Sequence, residues 1–266
     1  VGTNDEWETE GFDRTTMDLP GRQDELVRRV VAANPRTTVI INAGSPVTMD
    51  WADAADDNSA RAVLTSFFAG QEQAESLVDV LLGDADPGGR LPTTIPVRLA
   101  DHPAYLHHRP DHDSAGKGTQ VYGEGLFMGY RGYDARNIVP RFAFGHGLSY
   151  GSTRWGEAVI TSESVGIITV EVPVAATGSR AATVVVQGYI AAIDAACIRP
   201  PKELKTWDKF VVEPGASQTA QLNFPRSAFR RWDTATSDWI VEAGEYELVI
   251  AASATDVRQR LQVTVD

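Results

Sequence analysis

The chain has 266 residues, 42% of them hydrophobic and 23% charged, a composition ordinary for a globular protein with room for one large domain or two smaller ones. Its formal net charge of −12, with no basic patch, argues against a phosphate-backbone partner, and no apolar run reaches membrane-spanning length, so neither nucleic acid nor membrane is expected as a partner. Cys197 is the only cysteine, which excludes a disulfide within the chain.

The chain opens Val1-Gly2-Thr3-Asn4 without an initiator Met and enters at once what reads as the end of a strand, the look of a fragment or a processed chain. Next comes Trp7-Glu8-Thr9-Glu10-Gly11-Phe12-Asp13-Arg14, which crowds carboxylates, an arginine and two aromatics together. It is too polar for a core strand and too broken by Gly and Asp for a helix, so a loop leaving a strand is expected. Carboxylates beside aromatic faces suit sugar chemistry: acids transfer protons and rings stack on C–H faces. A solvated acidic loop is the bland alternative for such a stretch taken alone.

Pro20 to Asn34 reads as a helix, with Leu26, Val27, Val30 and Val31 on one face and Asn34-Pro35 as its stop. Thr37 to Ile41 is a β-branched run closed by Asn42-Ala43-Gly44, expected to be a strand buried on both faces. Val63 to Phe68 is a second such run. Gln71 to Leu82 returns to helical spacing, with Gly83 just past its end. Helix alternating with apolar strand predicts βα units and a parallel sheet, here with too few strands to complete a doubly covered one.

Residues 84 to 150 change character. Asp86-Pro87-Gly88-Gly89-Arg90-Leu91-Pro92 is turn chemistry, and all five histidines fall between His102 and His146. His107, His108 and His112 are spaced closely enough to raise a metal site, but no cysteine accompanies them and solvated loop histidines are expected. From about residue 155 short strands follow one another: Ile167–Val174, Ala182–Ile193, Lys209–Val212, Gln218–Phe224, Gly244–Ala251 and Arg258–Val265. Their spacing predicts a β-sandwich, of fibronectin rather than antibody type because a Cys…Trp…Cys pattern is lacking. The expected fold class is therefore multidomain, α/β plus all-β, a partial α/β sandwich followed by a fibronectin III-like β-sandwich.

Several stretches together carry a resemblance. They are Trp7 to Arg14, Gly70-Gln71-Glu72, Asp79-Val80-Leu81-Leu82-Gly83, Asp86 to Pro92, Tyr122-Gly123-Glu124-Gly125-Leu126-Phe127-Met128-Gly129-Tyr130-Arg131, Phe142 to Tyr150, and Arg199-Pro200-Pro201-Lys202-Glu203-Leu204-Lys205. In this order they resemble the C-terminal part of family 3 glycoside hydrolases, the β-glucosidase family, and Gly244-Glu245-Tyr246 fits that family's fibronectin-like module. The resemblance implies residues 1–106 as the second half of the family's α/β sandwich, 107–154 as a loop-rich connection, and 155–266 as the fibronectin III-like domain. It further implies a (β/α)8-type barrel, outside this chain, that carries an aspartate nucleophile.

On that resemblance Glu10, just before Gly11-Phe12-Asp13-Arg14, is the general acid/base, with Glu8 the second choice. Asp13 and Arg14 are expected to form a local ion pair that shapes the loop. Trp7 is either a sugar platform or an aromatic packed beneath the loop. No metal and no cofactor is expected, and Glu124 and His146 are read as structural. The implied partners are a β-linked glycoside or oligosaccharide and the barrel-bearing N-terminal part of the same enzyme, and self-association into a homo-oligomer is left open. The alternative is a non-catalytic carbohydrate-binding or scaffold chain.

Overall fold

The computed structural model describes residues 1–108, 121–164 and 166–266. They fall into two compact units, one of residues 1–82 and 93–143, the other of residues 83–92 and 144–266.

In the first unit, α1 (Gln23–Ala33) turns Val27 and Val31 inward, carries Asp24 and Glu25 in its first turn, and ends at the extended Asn34. The carboxylates there complement the positive end of the helix dipole. Behind it β1 (Thr38–Ile41) buries Val39 and Ile41, while Thr38 is exposed and Ile40 half-buried. It pairs in parallel with β2 (Ala62–Thr65), Thr38 opposite Ala62 and Ile41 opposite Thr65. Val1 and Gly2 run along the other edge of β1: the Asn42 amide donates to the Val1 carbonyl at 2.9 Å and the Thr3 amide to the Asn42 carbonyl at 3.0 Å. Gly2 has to be glycine because a Cβ there would lie 1.9 Å from the Asn42 carbonyl oxygen.

The second helix, α2 (Gln73–Leu82), buries none of its residues, and Val78, Leu81 and Leu82 of its apolar positions stand exposed. A helix whose apolar stripe faces water is half of a packing interaction. A further helix, α3 (Tyr130–Arg136), lies in the segment read as loop; it buries Gly132 and Tyr133 and closes on Asn137 in the left-handed conformation at φ 53°. Its seven residues, about two turns, offered too short a period to see in the sequence.

Among the described residues the second unit is all-β apart from one 3-10 turn, Arg226–Phe229. One antiparallel sheet has the order β12 (Val257–Val265), β11 (Gly244–Ala251), β6 (Ala182–Ala192), β7 (Glu203–Val212). In the other, β5 (Ile167–Ala176) is flanked by β8 (Ser217–Pro225) along its length and by β3 (Thr153–Trp155) and β4 (Val159–Ser164) in succession. β9 (Arg230–Asp233) and β10 (Asp238–Val241) form a separate hairpin. β5 and β8 alternate, with Val170, Val172 and Val174 of the one and Ala220, Leu222 and Phe224 of the other fully buried, whereas β11 is buried on both faces from Leu248 to Ala251. These β5 and β8 residues, with Leu248 and Ile250 of β11, form one core with Val184, Val186 and Ile190 of β6. Gly188 of β6 makes room for the facing sheet, since a Cβ would come within 2.6 Å of the Phe224 ring. Tyr246 donates its hydroxyl to the Glu242 carbonyl at 2.8 Å, a tyrosine corner of the kind found in immunoglobulin-like sandwiches.

The turn-rich stretch Asp86–Pro92 has a definite task in this unit. Asp86 accepts the Thr183 amide at 2.8 Å and Arg90 donates to the Thr183 carbonyl at 2.9 Å, so the two side chains bracket one residue at the start of β6. The Gly145 amide donates to the Leu91 carbonyl at 2.8 Å and the Leu91 amide to the His146 carbonyl at 2.9 Å, tying Gly145 and His146 to the same strap. Burial first, and the nearby Arg90 charge second, hold His146 below the ordinary imidazole range.

Candidate active site

The Trp7–Arg14 stretch forms a loop on the first unit. It begins in a turn in which the Asn4 carbonyl accepts the amides of Trp7 and Glu8, both at 2.9 Å. A tight turn follows, with Thr9 and Phe12 bridged antiparallel and the Gly11 amide bonded to the Thr9 hydroxyl at 3.3 Å. Glu10 and Gly11 occupy its tip. Glu10 is exposed, and its carboxylate has no hydrogen-bond or ionic partner among the described residues. Phe12, beside it, is 61% exposed.

Glu8 is in a different situation. Its Oε1 accepts the Thr3 hydroxyl at 2.6 Å and the Ser45 amide at 3.4 Å, and lies 3.5 Å from the Arg14 guanidinium. Arg14 in turn donates from Nη1 to the Ser45 hydroxyl at 2.9 Å and from Nε to the Thr16 carbonyl at 3.2 Å. The expected local pair of Asp13 with Arg14 is therefore corrected: Arg14 pairs with Glu8, and Asp13 lies 3.1 Å from His108 Nε2. Neighbouring side chains on an extended loop point to opposite sides, which sends Asp13 outward and Arg14 down onto the turn after β1.

Trp7 is half-buried and lines a cavity of about 290 Å³ with Thr3, Asn4, Gln23 and Asn42; Glu10 is not among its lining residues. A second cavity of about 530 Å³ holds Asp18, Asp24, Asp50 and Arg28. Each of those carboxylates is engaged, Asp18 with Thr48 at 2.5 Å, Asp24 with the Trp51 indole at 2.6 Å and Asp50 with Arg28 at 2.5 Å. Hydrogen bonds from Thr48 and Thr16 hold Asp18 below the ordinary carboxylate range, whereas burial lifts Asp24 above it. Of the histidines weighed as metal ligands, His112 lies outside the described residues, and His107 packs against Gly123. Among the described residues no three His, Cys, Asp or Glu side chains cluster as metal ligands do. Thr3, Gly44 and Ser45, which build the seat of Glu8, carried no signal in the sequence beyond a strand end.

The architecture so far is an α/β unit bearing an acidic loop and a fibronectin-like β-sandwich. The Glycosyl hydrolase family 3 C-terminal domain matches residues 1–130, and a Fibronectin type III-like domain matches residues 184–254. The chain belongs to glycosyl hydrolase family 3, and corresponds to the C-terminal part of its members. A β-glucosidase of Rhizobium radiobacter is 40% identical over 99% of the chain, which covers 32% of that protein. A β-glucosidase of Kluyveromyces marxianus, solved with glucose, superposes over the whole chain with a TM-score of 0.90 at 36% identity, 31% of that protein being covered. The family 3 β-glucosidase of Bifidobacterium adolescentis gives a TM-score of 0.90 at 34% identity over 38% of its length. The chain thus spans about a third of the length of these relatives.

Proposed function

We propose that this chain is the acid/base-bearing part of an exo-acting, retaining β-glucosidase that removes terminal non-reducing β-linked sugars, with Glu10 as the general acid/base. The aspartate nucleophile would come from a barrel outside this chain. Retaining hydrolysis needs two carboxyl groups about 5–5.5 Å apart, one attacking the anomeric carbon and the other protonating the leaving oxygen and then deprotonating water. A carboxyl that performs both proton transfers has to be free of competing partners and able to reach into a pocket held elsewhere. The observation that carries the reading is the division between the two loop glutamates: Glu8 is held by Thr3, Ser45 and Arg14, while Glu10 stands exposed at the tip. Closing the loop over a barrel would bury Glu10 and take its carboxyl out of bulk water, the environment the acid role requires.

Trp7, half-buried beside its own cavity, is proposed as an aromatic that backs the loop or borders the sugar. The test is the leaving-group dependence of Glu10→Ala in the completed enzyme. Aglycones that need protonation should lose about 10²–10⁴-fold in kcat/KM, and aryl glucosides with strongly acidic phenols should lose little. An equal loss for both classes would overturn the assignment, and unchanged turnover of both would favour the non-catalytic reading of this chain.

A further inference from the structure

We infer that Glu8 and Arg14, seated on Gly44 and Ser45, form a clasp that positions Glu10, so that Glu8, Arg14 and Ser45 are positioning residues for the proton-transfer step. This rests on the reading of Glu10 as the acid/base. The ion pair joins the two ends of the loop whose tip is Glu10. Ser45 serves both ends at once, giving its amide to Glu8 Oε1 at 3.4 Å and accepting Arg14 Nη1 on its hydroxyl at 2.9 Å. Thr3 adds a hydroxyl to the same Glu8 oxygen at 2.6 Å, and the Thr16 carbonyl fixes the guanidinium through Nε at 3.2 Å.

Both side chains are largely removed from water, Arg14 at 15% and Glu8 at 14% exposure. Removing either partner would strand the other's charge in a poorly hydrated place. Arg14 Nη2 is already buried without a partner among the described residues, so the clasp holds its geometry against the cost of an orphan donor.

Gly44 shows how closely the seat is built. A Cβ at this position would stand 2.4 Å from Glu8 Oε2 and 2.8 Å from the Phe68 ring. Its φ is not in the left-handed range, for Gly44 is absent from the positive-φ glycines. The requirement is therefore space for the carboxylate, not backbone freedom. Pinning the ends of a short turn limits where its tip can go, and displacing a reacting group by about 1 Å can cost 10²-fold in rate. A loop held only by its chain ends would sample such displacements freely.

The experiment compares Glu8→Ala, Gly44→Ala and Ser45→Ala with Glu10→Ala in the completed enzyme, reading kcat and KM for a poor and a good leaving group, azide rescue and thermal melting. Glu8→Ala and Gly44→Ala should lower kcat for the poor leaving group by about 10–100-fold, leave KM within about twofold, and slow the activated substrate far less. Azide should not rescue them, because Glu10 still occupies the site azide would use. Glu8→Gln, which keeps an acceptor for Thr3 and Ser45 while losing the ion pair, should fall between parent and Glu8→Ala. Ser45→Ala keeps the backbone amide and serves as the milder variant should Glu8→Ala fail to fold; about 3–10-fold is expected. A folded Glu8→Ala or Ser45→Ala with kcat unchanged for the poor leaving group would overturn the clasp while leaving Glu10 intact, as would an equal loss for both substrates. Azide rescue of Glu8→Ala in place of Glu10→Ala would overturn both readings and make Glu8 the acid/base.

Discussion

Asp86→Ala should weaken the second unit, and should do so only while the native carboxylate is charged. Asp86 accepts the Ser149 hydroxyl at 2.7 and 2.9 Å, the Tyr150 amide at 2.7 Å and the Thr183 amide at 2.8 Å. Hydrogen bonds to a charged group contribute about 1.5–3 kcal/mol each when taken singly, but they are not additive. Tyr150 is exposed, so its amide regains water in the variant. Thr183 is 8% exposed, and its amide keeps only a contact of 3.2 Å to the Ser149 hydroxyl. One buried donor poorly satisfied and two others rehydrated give a loss of about 2–4 kcal/mol. Burial alone would push the Asp86 carboxyl up, but the bonds from Ser149, Tyr150 and Thr183 outweigh it and hold the pKa below the ordinary range. A carboxyl depressed in the folded state stabilises fully above its unfolded pKa, about 3.9, and that contribution is lost as pH falls through the folded value. Urea unfolding followed by tryptophan fluorescence reports on this unit through Trp155, Trp207, Trp232 and Trp239, while Trp7 and Trp51 report on the first unit, whose transition the substitution should leave in place. The variant's midpoint should fall by about 1 M or more at pH 7 with the slope unchanged, and the gap should narrow below about pH 4. A gap under about 0.5 kcal/mol at pH 7, or one that does not change with pH, would refute the reasoning.

Tyr133 has a buried hydroxyl with no partner among the described residues, and burial pushes its pKa up to about 12; Tyr133→Phe should leave the melting temperature unchanged or raise it, and a fall of several degrees would show a partner for the hydroxyl. Gly188→Ala places a methyl 2.6 Å from Phe224 and 2.8 Å from the Thr206 methyl, so urea titration should register a loss of about 1–3 kcal/mol. The 266-residue chain by itself should bind a hydrophobic dye and sediment as associating species, because Val78, Leu81 and Leu82 of α2 and Leu26 and Val30 of α1 are exposed and are expected to be covered by further strands and helices of the same domain. The covering interface should exceed the standard size of about 1,600 Å²; a monodisperse, cooperatively melting chain that binds no dye would contradict this.

The strands of the sandwich were legible where one face is buried and the other wet. β8 shows this plainly, with Ala220, Leu222 and Phe224 buried between exposed neighbours. β7 begins at Glu203, earlier than the Lys209 expected from sequence, because its first residues are half-buried on both faces and give no alternation. The β9–β10 hairpin escaped notice for a related reason: its Trp232 and Trp239 meet across the strands, ring centroids 5.7 Å apart, while remaining about half exposed. The α1, β1, β2 and α2 elements were readable from periodicity, yet the expectation that β1 is buried on both faces holds only in part, since Thr38 is exposed and Ile40 half-buried. Within the loop, Glu8 and Glu10 are two similar carboxylates two residues apart in the sequence. What separates them is Gly44 and Ser45, far along the chain, and no local spacing carries that information.

The most direct test of the central claim is the product formed when azide is added to the Glu10→Ala variant of the completed enzyme turning over an activated aryl β-glucoside. With no base to activate water, the glycosyl-enzyme should accumulate, and azide, which needs no deprotonation, should restore turnover. The account predicts β-glucosyl azide, formed with retained configuration, as the new product. Recovery of activity without a glycosyl azide, or an azide product from the Glu8→Ala variant instead, would contradict it.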